Sequence, residues 1–355
     1  MNKHYFQLIG IIALLAAVLL VVGAVGAAGR DMPVVKLSTT QSTFSTSQQV
    51  LVTVTISNPT RNSVRILKWF TPSEGVEEAL FMVRRDGTPV AYIGAVYKRP
   101  AITGSDYITL KAGESLTRVV NLGDYYDLSA GGNYEILYSV ASTNLFNEKA
   151  TNFKIQDGLS SAAIKVKIEG KAGKGKPTPL PTPPPGGNAF DACTTVQQAA
   201  LVTARGNALD YSNGSVDYFT GIKEDSVRYD TWFGTFDSGR VSKVKTHFTA
   251  IAGAFDTAGI TFHCGCKQNY YAYVYPNRPY EIFVCKVFWT APATGTDSKA
   301  GTLIHEMSHF YVVASTSDYV YGQTGAMNLA ISDPAKAIMN ADNHEYFAEN
   351  TPFKP

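Results

Sequence analysis

The 355-residue sequence predicts a multidomain chain, an N-terminal all-β sandwich followed by a mainly α (α+β) domain, on three observations. Short apolar alternations such as Val50, Val52, Val54 and Ile56 fill the first half. A Pro-rich segment then interrupts the chain, and longer stretches of helical periodicity follow it. With 45% hydrophobic and 17% charged residues the composition is that of globular domains, which excludes disorder as the default. The net charge of +2 is too small to suggest nucleic acid as a partner.

Residues 1–30 carry Lys3 and His4, then an apolar or small run from Leu8 to Ala28, then Arg30. This is the pattern of an export signal, with Ala24, Gly26, Ala27 and Ala28 as small residues for a signal peptidase. The run over residues 8–28 is also long enough to span a bilayer, so a membrane tether is the alternative to secretion. Residues 31–170 read as the sandwich. Asn58-Pro59-Thr60 breaks one strand, and Asp86-Gly87, Ala112-Gly113 and Gly131-Gly132 supply turns. This region has no Cys and no His. Its aromatics Trp69, Tyr97, Tyr107, Tyr125, Tyr126 and Tyr134 are expected in the core rather than on a binding surface.

Residues 171–188, from Lys171 to Asn188, are rich in Lys, Gly and Pro, which cannot pack a core and make a stiff, extended spacer. Residues 189–355 form the second domain. Helices are expected over Ala189–Asn207 and Ser242–Ala258, short strands over Ile260–Trp289, and further helices from about Lys299 to Ala314, after Asp333-Pro334, and over Asp342–Glu349. This part is mildly acidic, with 16 Asp+Glu against 12 Lys+Arg from Asn188 onward. All four cysteines lie here. In an exported protein an even count reads as disulfides; Cys264 and Cys266 are too close to join each other, so each reaches outward, and Cys193–Cys264 with Cys266–Cys285 is the preferred pairing. A four-cysteine zinc site is disfavoured because the twin C-x2-C spacing is missing.

The chemistry concentrates at His305-Glu306-Met307-Ser308-His309. On a helix, positions i and i+4 share a face, so two imidazoles can reach one zinc ion while Glu306 sits beside them as a general base. A chance match on a surface helix is the bland alternative. The flanking Leu303, Ile304, Met307, Phe310, Tyr311 and Ala314 argue against it, since they would bury the helix and buried histidines need a partner. Catalytic zinc takes three protein ligands and leaves one position for water. A metzincin would need His where Ser315 stands and Gly where Val312 stands. Glu345 or Glu349 would suit a ligand from a later helix. Asp318 is preferred, because it follows the end of the metal helix and a turn can fold it back.

His305 to His309 followed by Thr316-Ser317-Asp318-Tyr319-Val320-Tyr321-Gly322 resembles the signature of the aspzincins, the deuterolysin family of metalloendopeptidases. The resemblance implies a zincin-like metalloprotease domain with one Zn2+ per chain held by His305, His309 and Asp318. Glu306 would be the general base and Tyr321 the oxyanion donor. Where that family usually has Gly, this chain has Ser315, which predicts local backbone strain. The segment from Asn340 to Asn350 is similar to the closing segment of the peptidyl-Lys metalloendopeptidase branch, which implies that Asp342 and Glu345 bind a lysine ammonium. Two carboxylates three residues apart share a helix face and suit that task. His247 and His263 lack metal-binding spacing, and His344 lies between the two acids, either tuning them or facing solvent. Segments such as Lys111-Ala112-Gly113-Glu114-Ser115 make the sandwich similar to the propeptide-like domain before some bacterial members.

The expectation is therefore an exported zinc endopeptidase acting on the amino side of lysine in protein or peptide substrates. A broader deuterolysin-like protease, or a cell-surface binding protein with a structural metal domain, are the rivals. Lys171, Lys174 and Lys176 in the spacer would be self-cleavage sites that release the sandwich.

Overall fold

The computed structural model describes residues 32–142, 145–146, 158–170 and 186–355. The expected export signal and the spacer lysines lie outside them. The N-terminal part holds sheets, and helices dominate the C-terminal part.

Strand alternation writes the first sheets. In β1 (Val34–Thr39), β3 (Leu51–Ser57) and β9 (Ser115–Asn121), paired antiparallel in the order β1-β3-β9, every second residue of β3 turns inward and Val52, Val54 and Ile56 are fully buried. A second sheet runs β2 (Thr43–Ser45), β12 (Ile164–Glu169), β10 (Gly132–Val140), β5 (Phe81–Arg85), β6 (Thr88–Pro89), with β11 (Leu159–Ser160) also on β10. β4 (Val64–Leu67) pairs with β8 (Tyr107–Leu110). The expected turn at Asp86-Gly87 is made with both residues at positive φ. Trp69, Tyr126 and Tyr134 are core as expected.

The C-terminal sheet has the order β13 (Gly187–Asp191), β14 (Gly259–His263), β16 (Glu281–Val284), β15 (Ala272–Val274), β7 (Val96–Lys98). Its outermost strand, β7, comes from the N-terminal part and pairs antiparallel with β15, Tyr97 opposite Tyr273 and Lys98 opposite Ala272. Buried apolar side chains of both parts form one contiguous cluster.

Around that sheet lie α1 (Thr195–Tyr218), α2 (Val227–Phe233), α3 (Ser238–Thr257), α4 (Lys286–Thr290), α5 (Lys299–His309), α6 (Gly322–Ser332), α7 (Pro334–Ala337) and α8 (Ala341–Glu349). Three expectations need correction. The region expected to open as a helix at Ala189 opens as strand β13, which starts within the expected spacer. α1 begins only after Thr194, whose hydroxyl caps Gln197 N–H while the Gln197 side chain reaches back. The metal helix stops at His309 rather than Ala314, because the chain must reverse there to bring Thr316 and Asp318 back to it. Both disulfides form as expected, Cys193–Cys264 and Cys266–Cys285, tying α1 to β14 and the β14–β15 connection to the start of α4. Among the described residues, no helix is long and apolar enough to cross a membrane.

Candidate active site

α5 is buried on every side, from Ala300 to His309. Ser298 caps it by accepting Gly301 N–H, and is itself fixed by the Glu349 carboxylate, which accepts from both Ser298 N–H and Ser298 Oγ–H at 2.8 Å. Burial pushes the Glu349 carboxyl up to about 9, with Glu345 adding to the rise. Glu349 thus belongs to the helix start and not to the metal cluster. Gly301 is required for α8 to lie close. A Cβ there would come within 3.0 Å of Glu345 Cγ and closer still to the Glu349 carboxylate.

The fold brings His305, His309 and Asp318 together, one ligand atom of each within 4.8 Å of the others. Asp318 Oδ1 lies 3.3 Å from His305 Nε2 and Asp318 Oδ2 3.4 Å from His309 Nε2. Their far sides are already engaged. His309 Nδ1–H donates to Thr316 O at 3.0 Å, and His305 Nδ1 lies 2.8 Å from Asp342 Oδ1, so both Nε2 lone pairs are free for a cation. Both Nε2 atoms and both Asp318 oxygens are buried without a hydrogen-bond partner. Unpartnered buried nitrogens and a carboxylate converging on one point are costly unless they ligate, and two imidazoles with one carboxylate match zinc's preferences. Burial alone would raise the Asp318 carboxyl, but the facing His309 and His305, when protonated, overcome it and hold it far below the usual range.

Asp318 is positioned by a turn that sequence reading did not resolve. Ser315, where Gly was expected, sits at φ +53°, so the anticipated strain is present. Beyond it, Ser317 N–H donates to Met339 O at 2.8 Å, and the Asn340 amide oxygen accepts from Tyr319 N–H and Val320 N–H at 2.8 and 3.2 Å. Asn340 is the clamp on the ligand loop, a role that a lone Asn before a helix does not advertise.

Glu306 is fully buried beside the histidines, and burial lifts its carboxyl to about 7 against the opposing pull of His305 and His309. Its Oε1 accepts the backbone N–H of Lys98 at 3.3 Å. Tyr321 Oη, held protonated by burial and by the nearby Asp318 and Glu78 charges, lies 3.1 Å from the Tyr97 carbonyl oxygen and 2.9 Å from Glu78 Oε1. The Lys98 side chain, 1% exposed, runs into a cage of acids. Its Nζ is 2.6 Å from Glu345 Oε2, 3.5 Å from Asp342 Oδ1 and 3.4 Å from Asp297 Oδ1, with the Tyr271 and Tyr346 rings 5.2 and 5.6 Å away.

Asp342 and Glu345 face the ammonium of the chain's own Lys98. Sequence reading missed its other walls. One is Asp297, which sits at φ +51°, with its N–H on Glu349 Oε2 and its carboxylate on Tyr346 Oη–H. Lys98 itself carried no signal, being one lysine in a strand-rich region. His344 does not tune the acids. It is buried on the far face of α8, where its Nδ1–H donates to Asn340 O and its Nε2 takes the hydrogen of His247 Nδ1 at 3.0 Å, and burial holds the two rings down at about 3 and about 4. His263 pairs with Asp191 and Glu281, away from the cluster.

Comparison with known proteins places these residues in a family. Residues 218–349 match the family model Aspzincin M35, described as lysine-specific metallo-endopeptidase. An extracellular protease of Aeromonas hydrophila is 44% identical over 312 residues, 86% of this chain and 89% of that protein. A peptidyl-Lys metalloendopeptidase of Grifola frondosa is 35% identical over 270 residues, 75% of each chain. A solved structure titled zinc peptidase from Grifola frondosa is 46% identical, covers 46% of this chain and 100% of its own, and has a TM-score of 0.44. With this much of its length shared at such identity, the chain belongs to the aspzincin family and is a metalloendopeptidase.

Proposed function

We propose that the protein is an exported zinc endopeptidase that hydrolyses the peptide bond on the amino side of lysine. The observation that carries the specificity is the Lys98 ammonium, buried among Glu345, Asp342 and Asp297 while its own backbone N–H rests on Glu306. Desolvating an ammonium costs several kcal/mol, and three carboxylates at short range offset that cost. A neutral P1′ side chain would leave the buried Glu345 carboxylate without an ammonium to face, and the planar, longer guanidinium of arginine would not fit walls closed around a point charge.

His305, His309 and Asp318 would hold the zinc. Zinc, when bound, supplies the Lewis acid that activates water and polarises the scissile carbonyl. Glu306 takes a proton from the attacking water and hands it to the leaving P1′ amine; its Oε1 is already within 3.3 Å of such a nitrogen. Tyr321 donates its hydroxyl hydrogen to the carbonyl oxygen as charge develops there. Strand β15 would align the substrate by backbone pairing in the place where it now pairs with β7. The two disulfides suit an oxidising compartment, and a relative is named an extracellular protease.

A digest of a denatured, reduced protein tests the reading. New N-termini should all be lysine; N-termini spread over many residue types would replace it with a broad-specificity protease.

A further inference from the structure

β7 meets the catalytic residues in the order a substrate would. The Tyr97 carbonyl oxygen is at Tyr321 Oη, the Lys98 nitrogen is at Glu306 Oε1, the Lys98 side chain fills the acidic cage, and the backbone between them pairs with β15. Four independent contacts therefore converge on one peptide bond, the one joining Tyr97 to Lys98. We propose that this bond is a substrate of the chain's own catalytic domain, cut in cis between Tyr97 and Lys98. The inference rests on the lysine-directed reading above and adds the site at which it acts within the molecule.

The step balances without any co-reactant except water. The water oxygen bonds to the Tyr97 carbonyl carbon, the carbon–nitrogen bond to Lys98 breaks, and the proton taken up by Glu306 passes to the Lys98 nitrogen; the second water proton leaves the new Tyr97 carboxyl for the amine, giving a carboxylate on Tyr97 and an ammonium on Lys98. Cleavage in the spacer alone would not free the cage, because Lys98 would still be anchored by β7 and by the sheet pairing. A cut at Tyr97 separates the strand from its anchor. Turnover here should be slower than on a free peptide, because Tyr321 has one hydroxyl hydrogen and Glu78 Oε1 competes for it with the Tyr97 oxygen. Glu78 is in turn held by Arg99, the residue after the anchor, at 3.2 Å.

The experiment uses the full chain, prepared with a chelator and started by adding zinc at pH 8, with N-termini read by mass spectrometry over time. A fragment beginning at Lys98 should appear with first-order kinetics unchanged by tenfold dilution, and should be absent from Glu306→Ala. A zinc-loaded chain that keeps the Tyr97–Lys98 bond intact overturns the inference, whether or not it cleaves added peptide, and a rate that scales with concentration overturns cutting in cis. If added peptides are cleaved before residues other than lysine, the specificity reading fails instead. Placement is checked without turnover. In the Glu306→Ala background, a lysine-containing peptide should bind the Lys98→Ala chain at least about tenfold more tightly than the chain that keeps Lys98. Equal binding would mean that Lys98 does not occupy the cage.

Discussion

The His305–His309–Asp318 cluster and the cage around Lys98 share a wall, yet they are built in different ways. In the first, His305, His309 and Asp318 converge with buried polar atoms that lack partners. In the second, Asp342, Glu345 and Asp297 are matched to a removable ammonium, and Tyr271 and Tyr346 line the remaining sides. Asp342 belongs to both. Its Oδ1 faces His305 Nδ1 at 2.8 Å and the lysine Nζ at 3.5 Å, while its Oδ2 accepts Gly322 N–H at 2.6 Å. Glu345 is nearer the ammonium, at 2.6 Å, and farther from the imidazole, at 3.4 Å. Adjacent carboxylates on one helix thus differ in what they touch: Asp342 faces His305 and Lys98 together, and Glu345 chiefly Lys98.

The largest effect should come from separating chemistry from metal binding. Glu306→Ala should lower kcat by about three orders of magnitude yet retain about one zinc per chain by elemental analysis. His309→Ala and Asp318→Ala should lose both activity and metal, and full zinc content in Asp318→Ala would move the third ligand to Glu345. Within the cage, Glu345→Gln should reduce lysine discrimination by about tenfold, read as relative kcat/KM on peptides with Lys or Met at P1′.

The His247–His344 pair on the opposite face of α8 sharpens the contrast, since it is a buried polar pair built to stay neutral. Both folded-state values are depressed below the ordinary 6.5, so the unfolded chain takes up protons first. Stability should be full above about pH 6.5 and fall progressively as pH drops through about 4 toward about 3, the two folded-state values. Urea midpoints at pH 7 and pH 5 measure it, and His247→Gln should flatten the decline. The smallest effect is expected at Ser315→Gly, which relieves the left-handed residue and should stabilise by about 0.5–1 kcal/mol in the same assay.

What was legible in the sequence follows from range. The i, i+4 spacing of His305 and His309, the alternation in β3, the Asp333-Pro334 helix start and the i, i+3 acids of α8 are local patterns, and each survives in the fold. Asp318 was preferred for its place just after the metal helix and Tyr321 was proposed through a resemblance, which also anticipated the strain at Ser315. The misses are long-range. Helical periodicity after Ala189 gave no warning that parallel pairing with β14 would draw Gly187–Asp191 into a strand. Nothing near Lys98 announces that Asp342 and Glu345, more than 240 residues later, will surround it. His344 looked like a member of the acid cluster because sequence proximity hides which side of the helix a residue faces.

Zinc affinity in the two pocket variants tests the division of labour most directly, measured by competition with a chelating indicator on the full chain. Asp342→Asn should bind zinc about 10- to 100-fold more weakly than the wild type, because His305 loses the carboxylate behind its Nδ1. Glu345→Gln should stay within about threefold of the wild type. Equal zinc affinity in Asp342→Asn and the wild type, or an equal loss in both variants, would contradict the account.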